Sequence, residues 1–179
     1  SVMRCIIVDR KNANSLRRLC EGGLIAALYI ALTVPLQPIA FGPLQVRPSE
    51  MLTILPVLTP AAIPGLAVGC VLSNALCIAS NPAGAWDILF GSAATLAAAL
   101  LTRALRRVCL RGWPVLSVLP PILINGVVVG LELTVIYFGG FSWPTFLLCA
   151  AEVAAGELIA AGIGGLLLWR LIPKKLFAA

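Results

Sequence analysis

Four runs of apolar residues, at about 22–40, 88–105, 114–138 and 145–172, constrain this chain more than any other feature. A helix needs about 20 mostly apolar residues to cross a hydrocarbon layer of about 30 Å, and each run approaches or exceeds that length. The overall composition agrees. The 179 residues are 60% hydrophobic and 11% charged, with mean hydropathy +1.03, whereas soluble domains are about 45–50% apolar and about 25% charged. A water-soluble core cannot absorb that much apolar surface, so the chain is expected to form one all-α integral membrane domain.

Residues 50–80 are harder to assign, being broken by Pro56, Pro60 and Pro64. As one helix they would reach about 46 Å, long for one crossing and short for two. Arg and Lys concentrate on the cytoplasmic side of short membrane loops, and they decide the count. Arg4, Arg10, Lys11, Arg17 and Arg18 place the start inside; Arg103, Arg106, Arg107 and Arg111 place the end of the 88–105 run inside; Arg170, Lys174 and Lys175 do the same for the C-terminus. The intervening stretch must then cross an even number of times, as two short spans turning near residues 59–64 or as a re-entrant hairpin. The spacing predicts six transmembrane helices, the second and third short, with N- and C-termini cytoplasmic. Residues 1–21 form a cytoplasmic lead, 22–172 the membrane domain and 173–179 a cytoplasmic tail. Because the charged lead runs into a full-length span, no cleaved signal is expected. Backbone broken at membrane depth is tolerated where it is buried in protein or lines a cavity, so the outer half is expected to enclose a pocket.

Several chemistries are excluded. The net charge is +6, but the bases sit at segment ends without interleaved aromatics, which argues against nucleic acid. Without histidine, Ser-His, Cys-His and His-ligated zinc chemistry are unavailable. No phosphate-binding G-x-x-x-x-G-K-[ST] loop occurs, so any ATPase lies on another chain. The six cysteines contain no C-x-x-C pair and read as reduced packing residues. No cofactor or metal is implied.

The informative residues are polar ones within apolar runs: Asn74, Asn125, Glu132, Glu152 and Glu157. A carboxylate in a span costs about 2.5–3.5 kcal/mol on insertion scales, and such groups face a bundle interior or a ligand path. Interhelical hydrogen bonding is the plainer use. Glu152 and Glu157 lie about 140° apart around a helix, so one of them is structural. Arg47 and Glu50 flank the predicted start of the second helix, with Ser49 as its N-cap, and Asp87 sits where helix capping would also suit a carboxylate. Trp86 and Trp143 suit interface anchors or a stacking surface for a planar ligand. Gly23, Ala27 and Ala31 form a small-residue ridge that lets another helix approach closely.

These motifs resemble the substrate-binding S components of energy-coupling-factor (ECF) transporters, in particular the queuosine-precursor (QueT) branch. The resemblance spans about residues 24–168. It rests on Gly42-Pro43-Leu44-Gln45-Val46-Arg47-Pro48-Ser49-Glu50, on Leu66 to Asn74 with Gly69-Cys70, and on Asp87-Ile88-Leu89-Phe90-Gly91 followed by Ala94-Thr95-Leu96. Asn125-Gly126, Gly130-x-Glu132-Leu133 and Gly156-Glu157 complete it. Pro48 departs from the pattern, which carries an aliphatic residue there. The resemblance implies a bacterial plasma-membrane binding protein that captures a 7-deazaguanine, prequeuosine base or queuine, from outside. It implies docking through Ala27 and Ala31 onto a transmembrane coupling subunit served by two cytoplasmic ATPases. The ligand would be read by Arg47, Glu50, Asn74, Trp86, Asp87, Asn125, Glu132 and Glu157: carboxylates take the N1–H and N2–H₂ donors, an amide serves the carbonyl, and an aminomethyl cation wants a second carboxylate. Without ligand, Glu132 is expected to be hydrated or paired with Arg47. An S component for another vitamin or purine-like nutrient, and a structural membrane protein without a ligand, are the competing readings.

Overall fold

A computed structural model describes the backbone of residues 2–41, 45–81 and 83–177, with side chains from residue 14 onward except Lys175. The side chains of Arg4, Cys5, Arg10, Lys11 and Lys175, the Gly42-Pro43-Leu44 part of the motif, and Pro82 lie outside the described residues. Among the described residues the chain is all-helical, with no β-strand. Helix α1 runs Val2–Thr33 and, after a break at Pro35, the short α2 covers Gln37–Ala40. A 3₁₀ arm follows at Pro48–Val57, then α3 at Ala62–Leu76 and α4 at Ala85–Ala104. Helix α5 covers Leu119–Phe138. Helix α6, Trp143–Glu157, passes through a π-helical stretch at Leu158–Gly164 into α7, Gly165–Leu171.

Local chemistry sets these boundaries. Proline lacks an N–H and clashes with the preceding turn, so Pro35 stops α1 and the chain restarts with Pro38 in the first turn of α2. Pro120 and Pro121 open α5, and Gly139, at φ 66°, closes it in the left-handed conformation that glycine adopts without penalty. Ser142 caps α6 by accepting from the Thr145 backbone N–H at 3.4 Å. Three continuous helical stretches are long and apolar enough to cross a membrane: Ala85–Arg107, Val115–Phe138 and Trp143–Leu171. Ala62–Leu76 is apolar but shorter.

Two expectations are corrected here. The apolar run at 22–40 does not form one continuous helix: it belongs to α1, which begins at Val2 and ends at Thr33, and to the separate α2. The second helix is not α-helical and Ser49 is not its cap. Arg47 occupies the cap position without a side-chain capping bond, and the Ser49 hydroxyl instead accepts from Thr33 at 2.7 Å. Pro48 and Pro56 remove two N–H donors from this arm.

Glycines set the closest helix contacts. A Cβ on Gly69 would come within 2.8 Å of Tyr29 Cβ, so α3 lies directly against α1; one on Gly130 would come within 2.6 Å of Ala150 Cα, so α5 lies equally close to α6. The irregular segments pack on each other, with Met51 of the 3₁₀ arm against Gly164 and Gly165. One end of the bundle is tied by polar contacts. Arg17 bonds Glu21 and the Leu176 carbonyl, Thr59 donates to Glu21 at 2.9 Å, and Arg103 donates to the Pro56 carbonyl at 2.9 Å. Arg170 lies over Trp113 and Lys174 over Trp169 at the same end. The opposite end carries Phe41, Arg47, Asn81 and the α5–α6 turn.

Candidate functional site

Arg47 is the hub of a buried polar cluster. Its guanidinium donates to Asp87 Oδ2 at 2.5 Å, and Asn81 Nδ2 donates to the same oxygen at 2.7 Å. The other face of Arg47 lies 4.8 Å from the centre of the Phe41 ring. Asn74 reaches across from α3, donating to the Asp87 carbonyl at 2.9 Å. Asp87 folds back over Gly91 one turn later, where any Cβ would overlap its carboxylate. The loop after α2, the loop before α4 and the end of α3 are thereby drawn to one point. Asp87 lies in the first turn of α4 but makes no capping bond: the cap position is Gly84, and its carboxylate instead engages Arg47 and Asn81.

Glu50 sits in the first turn of the 3₁₀ arm and accepts from the Tyr29 hydroxyl of α1. Deeper in the bundle, Asn125 of α5 donates to Glu157 Oε1 of α6 at 2.8 Å. Glu157 is buried, whereas Glu152 is only half-buried. The two therefore do face different surroundings, as their angular separation requires. Of the two expected states of Glu132, pairing with Arg47 is not the one found, since that guanidinium pairs with Asp87. Glu132 is 8% exposed and neither of its oxygens accepts a hydrogen bond from any described residue.

Glu132 lines a cavity of about 540 Å³ between α4 and α5, walled by Trp86, Phe90, Val127, Leu131 and Val135. Trp86 is 61% exposed and stacks on Phe90 with ring centres 5.8 Å apart. Asn125 does not line this cavity, so Asn125 and Glu132, placed on one face of the helix by their spacing, serve two different spaces. Gly23, Ala27 and Ala31 lie together on the exposed side of α1, and a Cβ on Gly23 would meet nothing within 4 Å.

Glu50 Oε2, Asn74 Oδ1, Asp87 Oδ1, Asn125 Oδ1, Glu157 Oε2 and both Glu132 oxygens are buried and accept no hydrogen bond from a described residue. All seven can accept. Among the described residues four buried carboxyl groups, on Glu50, Asp87, Glu132 and Glu157, stand beside a single buried guanidinium in the inventory of buried charge, and that guanidinium bonds only Asp87. Burying a charge or an acceptor without a partner is costly, so this arrangement suits a guest rich in N–H donors, positive charge, or both. Tyr29, Thr33 and Asn81 complete the cluster and were not singled out from sequence. Tyr29 and Thr33 could have been found: they share the face of α1 opposite the Ala27/Ala31 ridge, where polar groups in an apolar run must point inward.

The sequence profile described as QueT transporter matches residues 19–174. A protein of Lactococcus lactis subsp. cremoris (strain MG1363), described as queuosine precursor transporter QueT, is 36% identical over 76 residues. That alignment covers 41% of this chain and 41% of the relative, so the chain matches under half of the relative's length. No solved structure matches. The profile takes in α2 to α7, α1 from residue 19 onward and every residue of the buried polar cluster, and on that extent the chain belongs to the QueT transporter family.

Proposed function

We propose that the chain is the membrane-embedded S component of an ECF-type importer that captures a queuosine precursor, a 7-deazaguanine, from outside the cell. The observation that carries this reading is the surplus of buried acceptors on Glu50, Asn74, Asp87, Asn125, Glu132 and Glu157, with one guanidinium among them. A guanine-like edge brings an N1–H and an N2–H₂, which a carboxylate takes together. Asn125 and Glu157, already bonded to each other, offer a free Oδ1 and a free Oε2 side by side to such an edge. The family membership and the name of the Lactococcus relative support the ligand class.

In this reading the membrane domain of residues 22–172 crosses six times, the 3₁₀ arm and α3 being the two short crossings. Both termini and the loop through Arg111 are cytoplasmic. Arg17, Thr59, Arg103 and Leu176 gather at one end, which supports a common side for these segments. The exposed Gly23/Ala27/Ala31 ridge docks on a transmembrane coupling subunit, and ATP is hydrolysed by two partner subunits. Calorimetric titration of the purified protein with prequeuosine base, queuine and guanine tests the ligand. Glu50→Ala, Glu132→Ala and Glu157→Ala are each expected to weaken binding by roughly thirty- to several-thousand-fold, with the fold preserved, as when one member of a buried charged hydrogen-bond set is removed. Unchanged affinity in all three variants would refute these carboxylates as the reading groups.

A further inference from the structure

Two indoles and two cations meet where two of the membrane-length stretches end. Trp113 lies just before Val115–Phe138, Trp169 and Arg170 close Trp143–Leu171, and Lys174 follows just beyond. The two rings are 5.8 Å apart; Arg170 lies 5.7 Å from the centre of Trp113 and Lys174 3.5 Å from that of Trp169. A ring face attracts a cation through its quadrupole but leaves the charge in place, and the N–H donors turned away from the ring still want acceptors. The ion pairs among the described residues are Arg17–Glu21 and Arg47–Asp87, so no described carboxylate pairs with Arg170 or Lys174.

The turn that carries Trp113 adds a third cation. Leu110 and Trp113 exchange backbone hydrogen bonds at 2.8 and 3.0 Å, and the residues between them, Arg111 and Gly112, have φ of 51° and 83°. A turn with positive φ at both central positions favours Asn-Gly, and an arginine in the first of them is strained. Arg111 is exposed and, like Arg170 and Lys174, pairs with no described carboxylate. Strain held at an exposed charge points to a use for that charge.

We propose that the Trp113–Trp169 pair, with Arg111, Arg170 and Lys174, is a binding site for the headgroup of an anionic phospholipid. Charge and position together select this occupant. Indoles settle at headgroup depth in a bilayer, and clustered Lys and Arg beside a membrane-crossing helix attract anionic lipid. On α7, Leu167 and Leu171 share the face of Arg170 by their spacing and are 54% and 78% exposed. Acyl chains leaving a phosphate held at Arg170 and Lys174 run along these leucines. An acidic protein segment would match the charge and leave that apolar face uncovered. The cluster is at the opposite end of the bundle from the Arg47–Asp87 pair, so the proposal does not depend on the ligand assigned above.

The test is quenching of tryptophan fluorescence by acyl-brominated lipids, on the full chain in a Trp86→Phe, Trp143→Phe background that leaves Trp113 and Trp169 as the fluorophores. In phosphatidylcholine bilayers, brominated phosphatidylglycerol is expected to reach these indoles with a preference of about tenfold or more over brominated phosphatidylcholine. One cation near a membrane surface contributes about fivefold, so Arg170→Gln and Lys174→Gln are each expected to lower the preference by about that factor. Arg111→Asn suits the turn better than the arginine does, so it is expected to keep or raise the melting temperature while the preference falls. Arg18→Gln, at an exposed cation of α1 that lies over neither indole, is expected to leave the preference unchanged. Equal quenching by the two brominated lipids would overturn the site. So would a preference that survives the Arg170→Gln, Lys174→Gln double variant, or one that falls as far with Arg18→Gln, which would assign it to diffuse surface charge.

Discussion

The Arg47–Asp87 pair is buried, and its two side chains come from the loop before the 3₁₀ arm and the first turn of α4, 40 residues apart. Removing one member strands the other. Arg47→Met is expected to lower stability by about 3–5 kcal/mol, whereas Arg47→Met combined with Asp87→Leu is expected to recover much of the loss, because no buried charge is then left uncompensated. Thermal unfolding of both variants in detergent measures this; equal loss in the two would show that the ion pair itself carries the stability. Gly91 serves the same pair by leaving room for the Asp87 carboxylate. Gly91→Ala would force that carboxylate aside, and overpacking of this kind costs about 1–3 kcal/mol. Gly23→Ala, where nothing lies within 4 Å, is the control and is expected to leave the melting temperature unchanged.

Helix α1 presents two unlike faces. Its inner face, with Gly22, Ala26, Tyr29 and Thr33, meets Gly65 and Gly69 of α3 and delivers the Tyr29 hydroxyl to Glu50. Its outer face carries Gly23, Ala27 and Ala31 and is open. Ala31→Trp is therefore expected to keep ligand binding and abolish uptake, a difference read by titration against a cellular transport assay. Gly69→Leu is expected to do the opposite, lowering the melting point and ligand affinity together, because it pushes α1 and Tyr29 away from Glu50. The 3₁₀ arm is equally dependent on context. Runs beyond three or four residues are uncommon, since the hydrogen-bond geometry is poor, yet this one covers 10 residues. It is supported along its length by the π-helical stretch after Glu157, and at its end by Arg103 on the Pro56 carbonyl.

At the scale of the whole molecule, the basic segments gather at one end and the buried polar cluster lies toward the other. Arg17 contacts the Leu176 carbonyl, which ties α1 to the segment after α7, and the Trp113–Trp169 pair draws the loop after α4 to the same place. Cys109 in that loop is exposed, while Cys70, Cys77 and Cys149 are buried. In a Cys5→Ser, Cys20→Ser background, a membrane-impermeant maleimide is expected to leave intact cells unlabelled and to modify Cys109 after permeabilisation. Trp143→Cys is expected to label from outside. Labelling of Cys109 in intact cells would reverse the orientation and refute the proposed topology.

Apolar run length by itself fixes the membrane class and three of the long helices, because the cost of exposing backbone to hydrocarbon leaves a chain of this hydropathy few alternatives. The same logic marks Asn74, Asn125, Glu132 and Glu157, since a polar group in a span must turn inward, and all four are buried. What sequence could not supply is partnership. Whether Arg47 meets Glu132 or Asp87 depends on which helix the loop carrying Arg47 packs against, and the start of α1 at Val2 is masked by the low hydropathy of its charged first turns. The 3₁₀ character of the Pro48–Val57 arm escapes a reading by periodicity because it is stabilised by contacts more than 40 residues away. The division of the acceptors between an enclosed pair and a lateral cavity is decided by helix packing, which sends Asn125 toward α6 and leaves Glu132 facing the aromatic wall of α4.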